Sequence, residues 1–272
     1  MNVEIANHSG FCFGVKKAMD KALHLKEKAN TLGPLIHNPQ VVLELERKGV
    51  KKIDNLSEAD ASSIIIRTHG ASEAQIQDLL SKGYKIIDLT CPFVKKVQDY
   101  AKQLEKQGFS VIVIGEKNHP EVEGIVGHIK KASIIENPSQ AMLLPMQKKI
   151  GVVVQTTQTL ENFEKIIKVL KSKTDNLLIH NTICRATTQR QQATIKLAKK
   201  SDLMIVIGGR DSGNTKRLKE LCEKYTKTKH IESHKELRND WFAGKKAVGL
   251  TAGASSPLNV IRQVKETIEM IK

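Results

Sequence analysis

The stretch "GFCFGVKKAMDKA", residues 10–22, places a cysteine, Cys12, at the start of a helical pattern. Further on the chain repeats it as "CPFVKKVQDYA", residues 91–101. Both read C-x-x-V-K-K. A third cysteine, Cys184, opens "CRATTQ" and matches in position. Each of the three follows an apolar strand run, in "VEIANHSGFC", "YKIIDLTC" and "NLLIHNTIC", and each precedes a helix. Cys222 breaks the scheme. It sits within the helical pattern "KRLKELCEKY", in line with Leu218, and reads as a small core residue.

Working outward, short continuous apolar runs recur at Val3–Ala6, Ile64–Ile66, Ile86–Leu89, Val111–Ile114, Val152–Val154, Leu177–Ile179, Leu203–Ile207 and Val248–Leu250. Such runs suit strands buried on both faces. Between them lie amphipathic patterns, with Val15, Ala18, Ala22 and Leu25 on one face and Val94, Val97, Ala101 and Leu104 on another. The alternation predicts a mainly parallel α/β architecture. Counting between cysteines gives three similar units of about 80 to 90 residues, a size suited to small domains. The expected boundaries are 13–90, 91–183 and 184–256, the third completed by the N-terminal strand in 1–12, with a C-terminal helix over 257–272.

In parallel α/β units, ligands bind beyond the carboxyl ends of the strands. The cysteines and the polar loops all fall at such ends. A pseudo-threefold trefoil with those ends inward would bring the three thiols together around a central metal site. Three sulfur donors suit zinc with a histidine, or an iron–sulfur cluster that keeps one iron free of protein thiolate.

Other candidates lie in the same loops. His37, His69 and His119 each sit just past a strand and could help to form an anion site with helix N-termini. "GGRDSGNTKRL", residues 208–218, is a strand-to-helix turn in which Ser212, Asn214 and backbone N–H groups can hold a phosphate. It lacks the GxxxxGK[ST] pattern of a P-loop. "AGASSP" repeats the theme with Ser255 ahead of a proline. Glu121 can act as a proton donor or serve as a first-turn acidic residue, and Thr156 could orient it or simply start a helix.

Composition narrows the class. With 272 residues, 40% apolar, the chain can build real cores. No run of about 18 apolar residues is present, so no membrane span is expected. "MNVEIANHSG" has no basic-then-apolar signal, and a cytoplasmic setting is expected. The net charge of +15 comes from lysines spread along the chain, without interleaved aromatics. That distribution argues against nucleic acid and leaves an anionic substrate or an acidic protein partner.

"GFCFGV", "HNPQVV", "THG", "TCPFVKKV", "HPEVEG", "QTT", "TICRATTQRQ", "SGNTKRL" and "TAGASSP", in this order and spacing, closely resemble the 4-hydroxy-3-methylbut-2-enyl diphosphate reductases, the LytB/IspH family, over nearly the whole chain. The resemblance implies a trefoil of three α/β domains. It also implies reduction of an allylic diphosphate alcohol to isopentenyl and dimethylallyl diphosphate, the last step of the methylerythritol phosphate route to isoprenoids. It implies a [4Fe–4S] cluster held by Cys12, Cys91 and Cys184, whose fourth iron takes the substrate hydroxyl. Glu121 would supply protons, with Thr156 as its hydroxyl partner. His37, His69, His119, Thr156, Ser212, Asn214 and Ser255 would bind substrate. Gly213 stands where some members have a second serine and would contribute its backbone N–H. Electrons would come from a ferredoxin or flavodoxin. A quinolinate-synthase-like dehydratase is the second enzyme reading, disfavoured by the diphosphate loops. A zinc or nucleic-acid-binding protein is the non-catalytic one.

Overall fold

A computed structural model describes residues 1–36 and 38–271, so His37 lies outside the described residues. Among the described residues, twelve strands form three four-stranded, wholly parallel sheets, which bears out the α/β expectation.

By compactness the chain falls into two units. One comprises Ala18–Leu35 with Lys48–Cys184, the other Met1–Lys17, Ile36–Arg47 and Arg185–Lys272. The first unit holds two sheets. One is built from β2 (Ala29–Leu32), β3 (Val50–Ile53), β4 (Ser63–Ile66) and β5 (Lys85–Asp88), in the order β3-β2-β4-β5. The other is built from β6 (Ser110–Ile114), β7 (Ala132–Ile135), β8 (Ile150–Val154) and β9 (Leu177–Ile179), in the order β7-β6-β8-β9. The second unit holds β1 (Asn2–Ile5), β10 (Leu203–Ile207), β11 (Thr228–Ile231) and β12 (Ala247–Ala252), ordered β1-β12-β10-β11.

With the third read in reverse, from β11 to β1, the three orders superpose term by term. In each, the second and third strands are almost wholly buried, as in the all-buried β8 and β10, and the two outer strands are partly exposed. The outer strands β5, β9 and β1 are equivalent, and these are the three that precede Cys91, Cys184 and Cys12. The opposite outer strands β3, β7 and β11 are absent from the apolar runs of the sequence, as is β2. "VKKI" and "TKHI" carry too much charge, and β2 contains Asn30 and Thr31.

Parallel neighbours need crossovers, and helices supply them. The helices of the described residues are α1 (Phe13–Leu23), α2 (Pro39–Arg47), α3 (Glu73–Ser81), α4 (Pro92–Lys106), α5 (Pro120–Val126), α6 (Pro138–Met142), α7 (Leu160–Leu170), α8 (Arg185–Ala198), α9 (Gly213–Glu223) and α10 (Leu258–Glu269); α1, α4 and α8 lead from one sheet to another, and α10 follows the last strand. Helix α4 shows why the cysteine helices pack as they do. Pro92 opens it where an N–H would go unused. Val94, Val97, Ala101 and Leu104 form its buried stripe. Gly151 of β8 leaves the space that Leu104 fills, since a Cβ there would come within 2.6 Å of Leu104 Cδ2. On α1 the buried face is Val15, Ala18, Met19 and Ala22, while Leu25 falls beyond the helix end. Cys222 is fully buried beside Leu218, as expected of a core residue. Among the described residues no helix is long and apolar enough to cross a membrane.

Candidate active site

The first unit joins a carboxylate, two imidazoles and two cysteines through short links. Helix α5 starts at Pro120, with His119 as its N-cap. The His119 ring nitrogen Nδ1 accepts the Glu121 backbone N–H at 3.1 Å. That bond fixes Nδ1 as an acceptor and leaves Nε2 to carry the proton. The capped turn aims Glu121, only 2% exposed, at the carboxyl end of β8. There Thr156 donates twice to the carboxylate. Its backbone N–H reaches Oε1 at 2.6 Å and its hydroxyl reaches Oε2 at 2.7 Å. The Thr156 carbonyl in turn accepts the Cys184 N–H at 3.0 Å.

His69 completes the other side. It lies in the loop after β4, turned by Gly70 at φ +81°. Its ring meets His119 edge to face, with centroids 5.4 Å apart. A Cβ on Gly124 of α5 would lie 3.3 Å from the His69 carbonyl, so this glycine allows helix and loop to approach. One residue earlier, the Thr68 carbonyl accepts the Cys91 N–H at 3.0 Å. Cys91, His69, His119, Glu121, Thr156 and Cys184 thus form one continuous series, with both cysteines half-buried.

Gln155 was not singled out by sequence. Its Oε1 accepts the Glu116 N–H and its Nε2 donates to Thr157 Oγ1, both at 3.0 Å. It ties the loop after β6 to the loop after β8. Only its place beside "TT" could have hinted at this.

The second unit supplies a different arrangement. Ser212 N-caps α9, its Oγ accepting the Thr215 N–H at 3.3 Å. Gly213 and Asn214 occupy the first two helical positions, both buried. Asn214 Nδ2 and Thr215 Oγ1 are buried without a hydrogen-bond partner. Ser255 sits half-buried in the loop after β12. Its neighbour Ser256, which sequence reasoning passed over, is fully buried and locks that loop by donating to the Ile207 carbonyl at 3.0 Å. Gly208 and Gly253 let the two loops close around Thr215. A Cβ on Gly208 would lie 2.6 Å from Thr215 Oγ1, and one on Gly253 would overlap the same atom.

Cys12 belongs to this second unit, half-buried at the end of the loop that follows β1. His8 and Gly10 take positive φ values of 64° and 93°. Arg190 of α8, 2% exposed, holds both carbonyls, with Nε to His8 O at 2.8 Å and Nη2 to Gly10 O at 2.6 Å. This residue too escaped the sequence reading, since "TTQRQQ" looks like an exposed helix.

Among the described residues, no three His, Cys, Asp or Glu side chains gather closely enough to hold a metal ion. The donor set itself suits a cluster rather than a hard cation. Three half-buried thiols stand at equivalent strand ends, and the fourth, Cys222, is pushed up to about 12 by burial and, secondarily, by Glu223.

Comparison with known proteins bears on this geometry. The LytB protein family profile matches residues 3–269. A 4-hydroxy-3-methylbut-2-enyl diphosphate reductase of Geotalea uraniireducens is 44% identical over all of this chain and 98% of its own length. One from Caldanaerobacter subterraneus is 45% identical, again over all of this chain and 98% of its own. A solved (E)-4-hydroxy-3-methyl-but-2-enyl diphosphate reductase, the terminal enzyme of the non-mevalonate pathway, aligns over the full length of both chains at 40% identity, with a TM-score of 0.69. The E-1-hydroxy-2-methyl-but-2-enyl-4-diphosphate reductase of Plasmodium falciparum aligns with a TM-score of 0.90 at 29% identity, over 98% of this chain and 87% of its own.

Proposed function

This chain belongs to the LytB protein family, and from that premise we propose that it reduces 4-hydroxy-3-methylbut-2-enyl diphosphate to isopentenyl and dimethylallyl diphosphate. This is the last step of the methylerythritol phosphate pathway. The reaction adds two electrons and two protons. The allylic C–O bond breaks, one proton leaves with the oxygen as water, and the other ends on carbon.

The observation that carries the reading is the Glu121–Thr156 pair. Hydroxide is a poor leaving group and needs a proton at the moment the C–O bond breaks. A buried carboxyl held at both oxygens cannot swing away, and one of its two donors, the Thr156 hydroxyl, is itself exchangeable. When Glu121 takes up a proton, the Thr156 hydroxyl turns from donor to acceptor towards it, so Glu121 serves as the proton donor and Thr156 Oγ1 as the relay. His119 donates through Nε2, and with His69 it fixes the hydroxyl end of the substrate.

The diphosphate belongs with the second unit's loops. Asn214 Nδ2 and Thr215 Oγ1 are donors in search of acceptors, and an anion supplies them. Ser212, Ser255 and the Gly213 N–H at the start of α9 add to that site. Cys12, Cys91 and Cys184 would hold a [4Fe–4S] cluster, supported by their thiol chemistry and equivalent positions. When bound, the cluster supplies single electrons and a Lewis-acidic iron for the substrate oxygen. A ferredoxin or flavodoxin would feed it.

Anaerobic purification tests the reading. Iron and sulfide should be found in equal amounts with a brown chromophore, and reduced methyl viologen should drive conversion of the allylic diphosphate. Colourless, iron-free protein that leaves the diphosphate unchanged would overturn it.

A further inference from the structure

The motif C-x-x-V-K-K is only half explained by the fold. Its valines, Val15 and Val94, are buried and pack the helices. The rest of the motif faces water. Phe13 is 63% exposed and Phe93 is 45% exposed, a large apolar area to leave in solvent one or two residues after a cysteine. Lys16, Lys17, Lys95 and Lys96 are all exposed. Packing does not account for keeping both features in two copies.

On α4 the exposed residues extend into a larger face. Lys96 Nζ stands 5.5 Å from the Tyr100 ring centroid. Tyr100 stacks on His180, with ring centroids 4.1 Å apart and planes 5° from parallel. Phe93, Lys96 and Tyr100 lie at helical spacing on one side of α4, two residues past Cys91 at one end. His180 lies four residues before Cys184. This cation–aromatic face therefore starts beside one cysteine and ends near another, within one compact unit.

Charge decides what it fits. Lys95 is neutralised by Asp88 at 2.5 Å. Among the described residues, no carboxylate lies within ion-pair distance of Lys96, Lys16 or Lys17, although Asp99 and Asp20 are exposed one helical turn on. The whole chain adds a net +15. The face thus offers an uncompensated cation, Lys96, among aromatic rings, on a protein that must receive two electrons per turnover from outside.

We propose that the α4 face of Phe93, Lys96, Tyr100 and His180 is the docking surface for a small acidic one-electron carrier protein. The inference rests on the cluster reading above, because the carrier must come close to the group that Cys91 and Cys184 would hold. Each docking delivers one electron and oxidises one carrier. Two dockings supply the pair consumed as the C–O bond breaks, and the protons come through Glu121. The rings provide a flat apolar contact, while Lys96 selects for an acidic partner and hastens its arrival.

The test is the double variant F93S/K96E, with K235E as a charge control at an exposed lysine of the other unit. Two reductants are compared: a purified acidic ferredoxin, pre-reduced, and methyl viologen reduced with dithionite. The double variant should raise KM for the ferredoxin at least tenfold and leave kcat with viologen within twofold of the parent. Its Kd for ferredoxin, measured by calorimetry on the anaerobic protein, should weaken by the same factor and lose much of its dependence on salt. K235E should change either constant less than threefold. An unchanged ferredoxin Kd in F93S/K96E, an equal loss in K235E, or a parallel loss of viologen activity would each overturn the docking face. Parent protein inactive with both reductants would break the functional reading instead, and the Kd values would still decide the docking face.

Discussion

Glu121 and Asn214 occupy the same place in the repeat. Each is the second residue of the helix that follows an equivalent buried strand, β6 or β10, and each comes just after a side-chain N-cap, His119 or Ser212. Their states are opposite. Glu121 is an acceptor whose two oxygens are already met by Thr156. Asn214 is a buried donor that nothing meets, with Thr215 beside it in the same condition. An unsatisfied buried amide costs about 1–3 kcal/mol. One scaffold position thus carries, in one unit, a carboxylate whose oxygens are both met and, in the other, a buried amide left without a partner.

Three substitutions and one labelling experiment would break or sharpen that contrast. Glu121→Gln keeps the shape and removes the proton. Turnover with reduced viologen should fall about 100- to 10,000-fold, with iron content unchanged. Near-normal turnover would remove Glu121 from the proton path. Asn214→Leu should raise KM for the diphosphate about 10- to 100-fold, the worth of one to two charge-assisted bonds. Thermal melting of the unliganded protein should stay level or rise, because an orphan donor has gone. A lower melting temperature with an unchanged KM would make Asn214 structural. Gly253→Ala should destabilise the second unit by about 1–3 kcal/mol by forcing Thr215 to move. Adding Thr215→Ala should recover most of it in a double-mutant cycle, and strict additivity would exclude the clash. The smallest effect concerns Cys222. With its thiol pushed up to about 12 by burial, it carries almost no thiolate at pH 8. Iodoacetamide on the folded apoprotein should spare it, and labelling of Cys222 at a rate equal to the other thiols would contradict its place in the core.

The sequence made the repeat readable because buried central strands and cysteine turns leave strong local patterns. "SVIVI", "IGVVV" and "LMIVI" could hardly be anything else. The outer strands β3 and β11 were missed because an edge needs only one good face and charged residues occupy part of the rest, while β7, "ASII", offers only two large apolar residues. Glu121 and Thr156 were visible as residue types, but their mutual hydrogen bonds join loops 35 residues apart and depend on the sheet that aligns β6 with β8. Arg190 and Ser256 left no signal at all. A buried guanidinium bonded to carbonyls 180 and 182 residues away cannot be inferred from its own neighbours.

The pairing of β1 with β12 has a consequence for how the protein is made. Asn2–Ile5 finds its sheet partner in Ala247–Leu250, 245 residues further along the chain. At about 5–20 residues per second, the ribosome delivers that partner roughly 10 to 50 s after β1 has emerged. Arg190, which clasps the loop before Cys12, also arrives late. The first cysteine to be synthesised is therefore the last to be fixed in place.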